Sequence, residues 1–147
     1  MAGATARVLL RRTISQNERA ELEHYIQSVA SSVEGRAFWI AGQPFIWCDE
    51  PADEELAAQD IQGWNPGGVV TFCAMCRGLV SEAYLAMLVA RVAQMLGGVI
   101  ALGGYVRSFA DDSILVMEGR LETEHEDYVT PEYLHHWIGH PSFRMIN

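Results

Sequence analysis

From Leu79 to Tyr105 the chain is apolar almost throughout, and the pattern inside this stretch defines the element around which the rest must pack. Between Glu82 and Leu96 only Glu82, Arg91 and Gln94 are strongly polar. At about 100° per residue, Leu85, Leu88, Val89, Val92 and Leu96 share one arc roughly 100° wide, the signature of an amphipathic helix. Ala83, Ala86, Ala90 and Ala93 fill the adjoining arc and are small enough to let a second backbone come close. Ser81 is a suitable N-cap, because its hydroxyl can accept from a free amide of the first turn. Gly97-Gly98 supplies a left-handed stop. Val99 to Leu102 then predicts a short buried strand that ends at Gly103-Gly104.

The same patterns divide the remaining chain. Arg7 to Arg11 alternates as a strand, with Val8 and Leu10 on one side and Arg7, Leu9 and Arg11 on the other. Ser15-Gln16-Asn17-Glu18 forms a capping box, and Leu22, Tyr25, Ile26, Val29 and Val33 follow at helical spacing until Gly35. Ala37 to Ala41 and Phe45 to Cys48 read as two aromatic-rich strands joined by a turn at Gly42-Gln43-Pro44. Asp49-Glu50-Pro51 predicts the start of a short acidic helix, since proline suits the first helical position and the dipole favours carboxylates there. Leu56 and Ile61 would anchor it.

Gly63 to Gly68 is a loop, and Val69 to Cys76 predicts a core strand. Ser113 to Met117 predicts another strand, whereas Leu121 to Tyr128 is polar and reads as loop or strand edge. Thr130-Pro131-Glu132 opens a last helix with Tyr133, Leu134, Trp137 and Ile138 on its apolar side. The segment after Gly139 is expected to dock through Phe143, Met145 and Ile146, which are costly to leave in water. The order strand, helix, strand, strand, helix occurs twice. It predicts one α+β domain, an antiparallel sheet packed with about four helices, and allows a tandem half-repeat of residues 1–66 and 67–147.

Composition adds limits. Half of the 147 residues are hydrophobic and a fifth are charged, enough for a core and too apolar for disorder. Arg91 and Gln94 interrupt the longest apolar run, and the first residues lack the pattern of a secretory leader, so the expected location is cytoplasmic. Cys48, Cys73 and Cys76 are an odd number, which argues for reduced thiols packed in the interior.

Charge is more informative. All ten basic residues are arginine, against nineteen acids, for a net charge of −9. That field disfavours nucleic acid or an anionic membrane as a direct partner. Residues 37–76 hold six acids and no base, and residues 111–147 hold eight acids and two arginines.

Candidate chemistry is sparse. Cys73-Ala-Met-Cys76 has redox spacing, but residues three apart on a strand point to opposite faces, and a second cysteine pair for zinc is missing. His135, His136 and His140 beside Glu132 could be read as a metal or acid/base cluster of a small hydrolase. Their plainer reading is histidines near a helix C-terminus, favoured by its dipole. Neither H-E-x-x-H, nor a P-loop, nor G-x-S-x-G occurs, and no cofactor is implied.

The acids remain. Asp49, Glu50, Asp53, Glu54, Glu55 and Asp60, with Trp64 close behind, form one block; Asp111, Asp112, Glu118, Glu122, Glu124, Glu126 and Asp127 form another. A solvated face explains most charge runs. The sharper alternative is a surface complementary to a basic protein, which would steer association and select the partner, with Trp39, Trp47 or Trp64 as aromatic anchors.

The stretch Trp137-Ile-Gly-His140-Pro141-Ser-Phe143-Arg144-Met145-Ile146, preceded by Tyr133-Leu134, resembles the ending of a small bacterial family, and Gly97 to Gly104 is similar too. These proteins resemble the immunity proteins encoded beside polymorphic toxins. The resemblance covers the last half of the chain and carries no catalytic residue. It implies a non-enzymatic antitoxin, monomeric or homodimeric, that occludes the active site or substrate cleft of one cognate toxin domain. Such a toxin would be a basic, nucleic-acid- or nucleotide-acting enzyme.

Overall fold

A computed structural model describes residues 3–106, 114, 117–123 and 126–145. In chain order the elements are β1 (Thr5–Leu10), α1 (Gln16–Val29), β2 (Ser32–Glu34), β3 (Ala37–Ile40), β4 (Gln43–Pro51), α2 (Glu54–Ala57), β5 (Gly68–Ala74), α3 (Leu79–Leu96), β6 (Val99–Ala101), β7 (Arg120–Glu122), β8 (Asp127–Val129) and α4 (Pro131–Ile138). The strands make one antiparallel sheet in the order β2-β3-β4-β5-β1-β6-β8-β7. With four helices among the described residues, this is the single α+β domain that the alternation of periods predicts.

Strand alternation gives the sheet two different faces. Ala4, Ala6, Val8, Leu10, Phe38, Phe45, Trp47, Val70, Phe72, Ala74, Ile100 and Val129 point to one side and build the main core with the helices. There α3 lies against β1, β5, β6 and α4, burying Leu85, Leu88, Val89 and Val92 as its apolar arc requires. Leu22 and Ile26 seat α1 on the same side. The opposite face carries a smaller cluster, Leu9, Val69, Ala101 and Tyr128, capped by Leu56 and Ile61.

Both predicted caps of the flanking helices form. The Ser15 hydroxyl accepts from Glu18 N–H while the Glu18 carboxylate accepts from Ser15 N–H, and the bond from Ser15 N–H, followed by that from the Arg12 guanidinium at 2.7 Å, lowers the Glu18 pKa. Thr130 caps α4 with Pro131 in its first turn. The segment after Gly139 docks through buried Phe143 and Met145.

Several boundaries differ from the sequence expectation. Helix α1 stops at Val29, and Val33, despite its helical spacing, belongs to β2; Gly35, at φ +62°, makes the β2–β3 turn. Pro44 lies within β4, and the turn before it falls at Ala41-Gly42, both with positive φ. Asp49, Glu50 and Pro51 do not open a helix; they extend β4 against β5. Pairing with β3 ends at Ile46, so the missing Pro51 N–H faces a side of the strand with no partner, where proline is tolerated. Helix α3 begins at Leu79 after Gly78, not at Ser81, whose hydroxyl instead donates to Gln43 Oε1 at 2.6 Å.

Helix α3 is long and apolar enough, by length and composition, to cross a membrane, although half of its window is buried against the rest of the protein. Within the stretch read as loop or strand edge, Leu121 and Glu122 of β7 pair with Tyr128 and Asp127 of β8. The strand expected over Ser113 to Met117 falls mostly outside the described residues; Ile114 is buried in the main core.

Among the described residues the two halves differ in topology. From the sheet centre outwards the first half contributes β4, β3, β2 and the second β6, β8, β7. Strand β1 of the first half sits between β5 and β6 of the second, so both halves complete one sheet and one main core.

The cysteines are not core residues as their hydrophobicity suggested. Phe72 and Ala74 take the core side of β5, which turns Cys73 to the open face, while Cys48 and Cys76 are exposed. None of the three is in a disulfide. Burial, with the Glu50 charge second, raises the Cys48 pKa, the opposite of an activated thiol.

Candidate functional site: an acidic cleft on the open face

Register determines which side chains meet on the open face. Cys48 lies opposite Thr71, Thr71 opposite Arg7, Arg7 opposite Ala101 and Ala101 opposite Tyr128. One row of side chains thus runs across five strands, with Arg7 near its middle. Glu126, two positions before Tyr128, shares its side of the chain by alternation.

The chain between β4 and β5 folds back over this row. Asp53 caps α2 through Oδ1, which accepts from Leu56 N–H at 2.8 Å. Asp60 Oδ1 accepts from Gly63 N–H at 2.9 Å, and the carbonyl of Trp64 accepts from Ile61 N–H at 2.7 Å. Leu56 and Ile61 are thereby pressed onto Leu9, Val69, Ala101 and Tyr128.

Between this lid and the sheet lies a cleft of about 170 Å³ lined by Arg7, Asp53, Glu55, Leu56, Gln59, Glu126 and Tyr128. Acids from both blocks meet there, although Asp53 and Glu126 are far apart in the chain. Arg7 Nη2 donates to Glu126 Oε1 at 2.9 Å. Tyr128 is pushed up to about 12, first by burial and then by the neighbouring Glu126 charge, against a smaller opposing effect of Arg7. A phenol held neutral there can donate a hydrogen bond and is not a general base at neutral pH.

The other acids are distributed unevenly. Glu50 is exposed on the open face of β4, and Glu54 and Glu55 are exposed on α2. Asp49 is turned towards the helices and is no surface residue. Its two oxygens accept from Arg19 at 2.6 and 2.7 Å, with Arg36 at 3.6 Å, and the Asp49 hydrogen bond is the first cause of a raised Arg19 pKa.

In the second block Glu122 pairs with Arg120 at 2.8 Å, and the Glu122 bond is the first cause of a raised Arg120 pKa. Asp127 is fully buried; it accepts from Val106 N–H at 2.7 Å and from Arg120 at 3.4 Å. Asp111, Asp112 and Glu124 lie outside the described residues. The acids of this block that are described are therefore largely committed within the protein.

Of the aromatic anchors, Trp47 is a core residue, 5% exposed and stacked with Phe72. Trp64 is half-buried and lies under the Arg11 guanidinium at 4.9 Å. The histidines do not converge. His135 and His136 are exposed on α4, while His140 follows Gly139, lies tilted against the Trp137 ring and accepts from Ser142 N–H through Nδ1. Among the described residues no group of three or more metal-ligating side chains is assembled.

Sequence reasoning singled out Asp53, Glu55 and Glu126 and missed Arg7, Gln59 and Tyr128. Arg7 had a signal, its place on the wet side of an alternating strand. The pairing with Glu126 depends on strand order, which no local pattern carries.

Residues 2–147 match the model of one family, described as a family of unknown function, DUF6368, and the chain belongs to it. No curated protein matches the chain. No solved structure matches it either.

Proposed function

We propose that this chain is a cytoplasmic immunity protein that binds a cognate toxin domain and blocks its active site or substrate cleft, using the acidic open face of the sheet. The observation that carries the reading is the meeting of Asp53, Glu55 and Glu126 around one cleft, with Glu50 and Glu54 exposed beside it. Residues 37–76 contain no base, so Glu50, Glu54 and Glu55 leave that face acidic on balance beside Arg7 and Arg11, and a net negative rim favours electrostatic steering towards a basic partner. Trp64 supplies a half-buried aromatic surface next to it, of the kind that anchors interfaces. The resemblance of the segment from Trp137 to Ile146 to immunity proteins adds the class of partner.

The test is to mix the purified protein with the product of the neighbouring reading frame. The expected result is a stable complex and relief of that protein's toxicity. Neither complex nor relief would reject the reading.

A further inference from the structure

Away from the open face, α3 carries an ionisable group where its neighbours are apolar. Glu82 is 2% exposed, among Leu85, Ala86 and Val89 of the same helix. A carboxylate in such a place must be bonded on all sides or it destabilises the fold. Both residues that donate to it come from the segment after α4: Arg144 Nε reaches Oε1 and Oε2 at 3.2 Å each, and Met145 N–H donates to Oε1 at 2.8 Å. The same segment inserts Phe143 edge-on against Trp137, with ring centroids 5.6 Å apart, and buries Met145.

We propose that residues 141–145 form a strap over the α3–α4 pair and that Glu82 is its catch, making the docking of the strap a two-state event. The physical reason is the division of labour along the segment. Phe143 and Met145 provide apolar burial, which is roughly proportional to area and falls off gradually as a segment peels away. The Glu82 bonds are directional and buried, and losing either donor leaves a charge short of partners in the interior. A partly lifted strap is therefore disfavoured over both the closed state and a state in which water reaches Glu82. Opening would uncover the Trp137 ring and the Glu82 carboxylate together. Arg144, half exposed, is the bond to the catch that water reaches first.

Hydrogen exchange of the whole chain, read by mass spectrometry or NMR, tests this. In Glu82→Met, which fills the site with an apolar side chain of similar length, the Met145 amide is expected to exchange on the order of a hundredfold faster. Val89 and Val92 of α3 should keep their protection. Arg144→Ala, which leaves the Met145 bond in place and serves if Glu82→Met does not fold, should speed that amide about tenfold. Unchanged Met145 exchange in either variant would overturn the proposal, because apolar burial alone would then hold the segment. Equal loss of protection across α3 would also overturn it, since Glu82 would then be a support of the whole helix layer.

Discussion

The acids of residues 49–60 and those of residues 118–127 are similar runs in the chain with different surroundings in the fold. In the first run Asp49 is paired with Arg19, but Glu50, Glu54 and Glu55 are exposed, and Asp53 and Asp60 each use one oxygen on a local amide. In the second, Glu118 is exposed, but Glu122 meets Arg120, Glu126 meets Arg7, and Asp127 is sealed inside with Val106 N–H and Arg120. The difference comes from strand pairing. Strands β1 and β7 bring an arginine to each described acid of the hairpin, whereas the segment between β4 and β5 packs on the sheet through Leu56 and Ile61 and leaves Glu54 and Glu55 turned to solvent. A run of acids is thus no measure of surface charge until the partners delivered by the sheet are known.

The largest effect that would sharpen this contrast is expected from Asp127→Ala. It leaves Val106 N–H and Arg120 short of an acceptor in a fully buried site, and should lower stability by about 3 kcal/mol in a denaturant titration. Glu55→Gln should leave the same titration unchanged, because its carboxylate stands in water. Similar losses for the two variants would erase the distinction.

The next effect is a dependence on alkaline pH. Tyr128, at about 12 in the folded protein, lies above an unfolded tyrosine near 10. Folding therefore favours its neutral form. That contribution is complete below about pH 10 and is lost as pH rises through about 12. A spectrophotometric titration should show a tyrosine ionising near 12, and Tyr128→Phe should remove that transition. A smaller loss, about 1 kcal/mol, is expected for Asp53→Ala, which deletes the α2 cap, against none for Glu54→Ala.

Much of the fold was legible because it is written in local chemistry. The Ser15–Glu18 capping box, the Thr130-Pro131 start and the apolar arc of α3 each need only their own neighbours, and each is present. Val33 shows the limit. It continues a helical spacing, yet pairing with Phe38 across a hairpin takes it into a strand, a tertiary contact that overrides a weak local preference. Pro51 was misread for a related reason, since its tolerance in β4 depends on where β3 ends.

The site was legible in its acids and hidden in its arrangement. Asp53 and Glu55 stand out by charge alone, but Arg7 reaches Glu126 only because β1 lies between β5 and β6. Glu82 could be seen as the odd polar residue of its helix, and its partners at Arg144 and Met145 could not. The conclusion that cysteines prefer the interior failed because β5 turns Phe72 and Ala74 inwards and leaves Cys73 to the other face.

The central claim is that the exposed acids of the first run draw in a basic protein. Its most direct measurement is the association rate with the product of the neighbouring reading frame, followed across ionic strength for the wild type and for Glu54→Arg/Glu55→Arg. Asp53 is left intact in that variant so that α2 keeps its cap. The wild-type rate should fall steeply with salt, and the variant should start about tenfold slower with a flatter dependence. Equal rates and equal salt dependence in the two proteins would contradict the account.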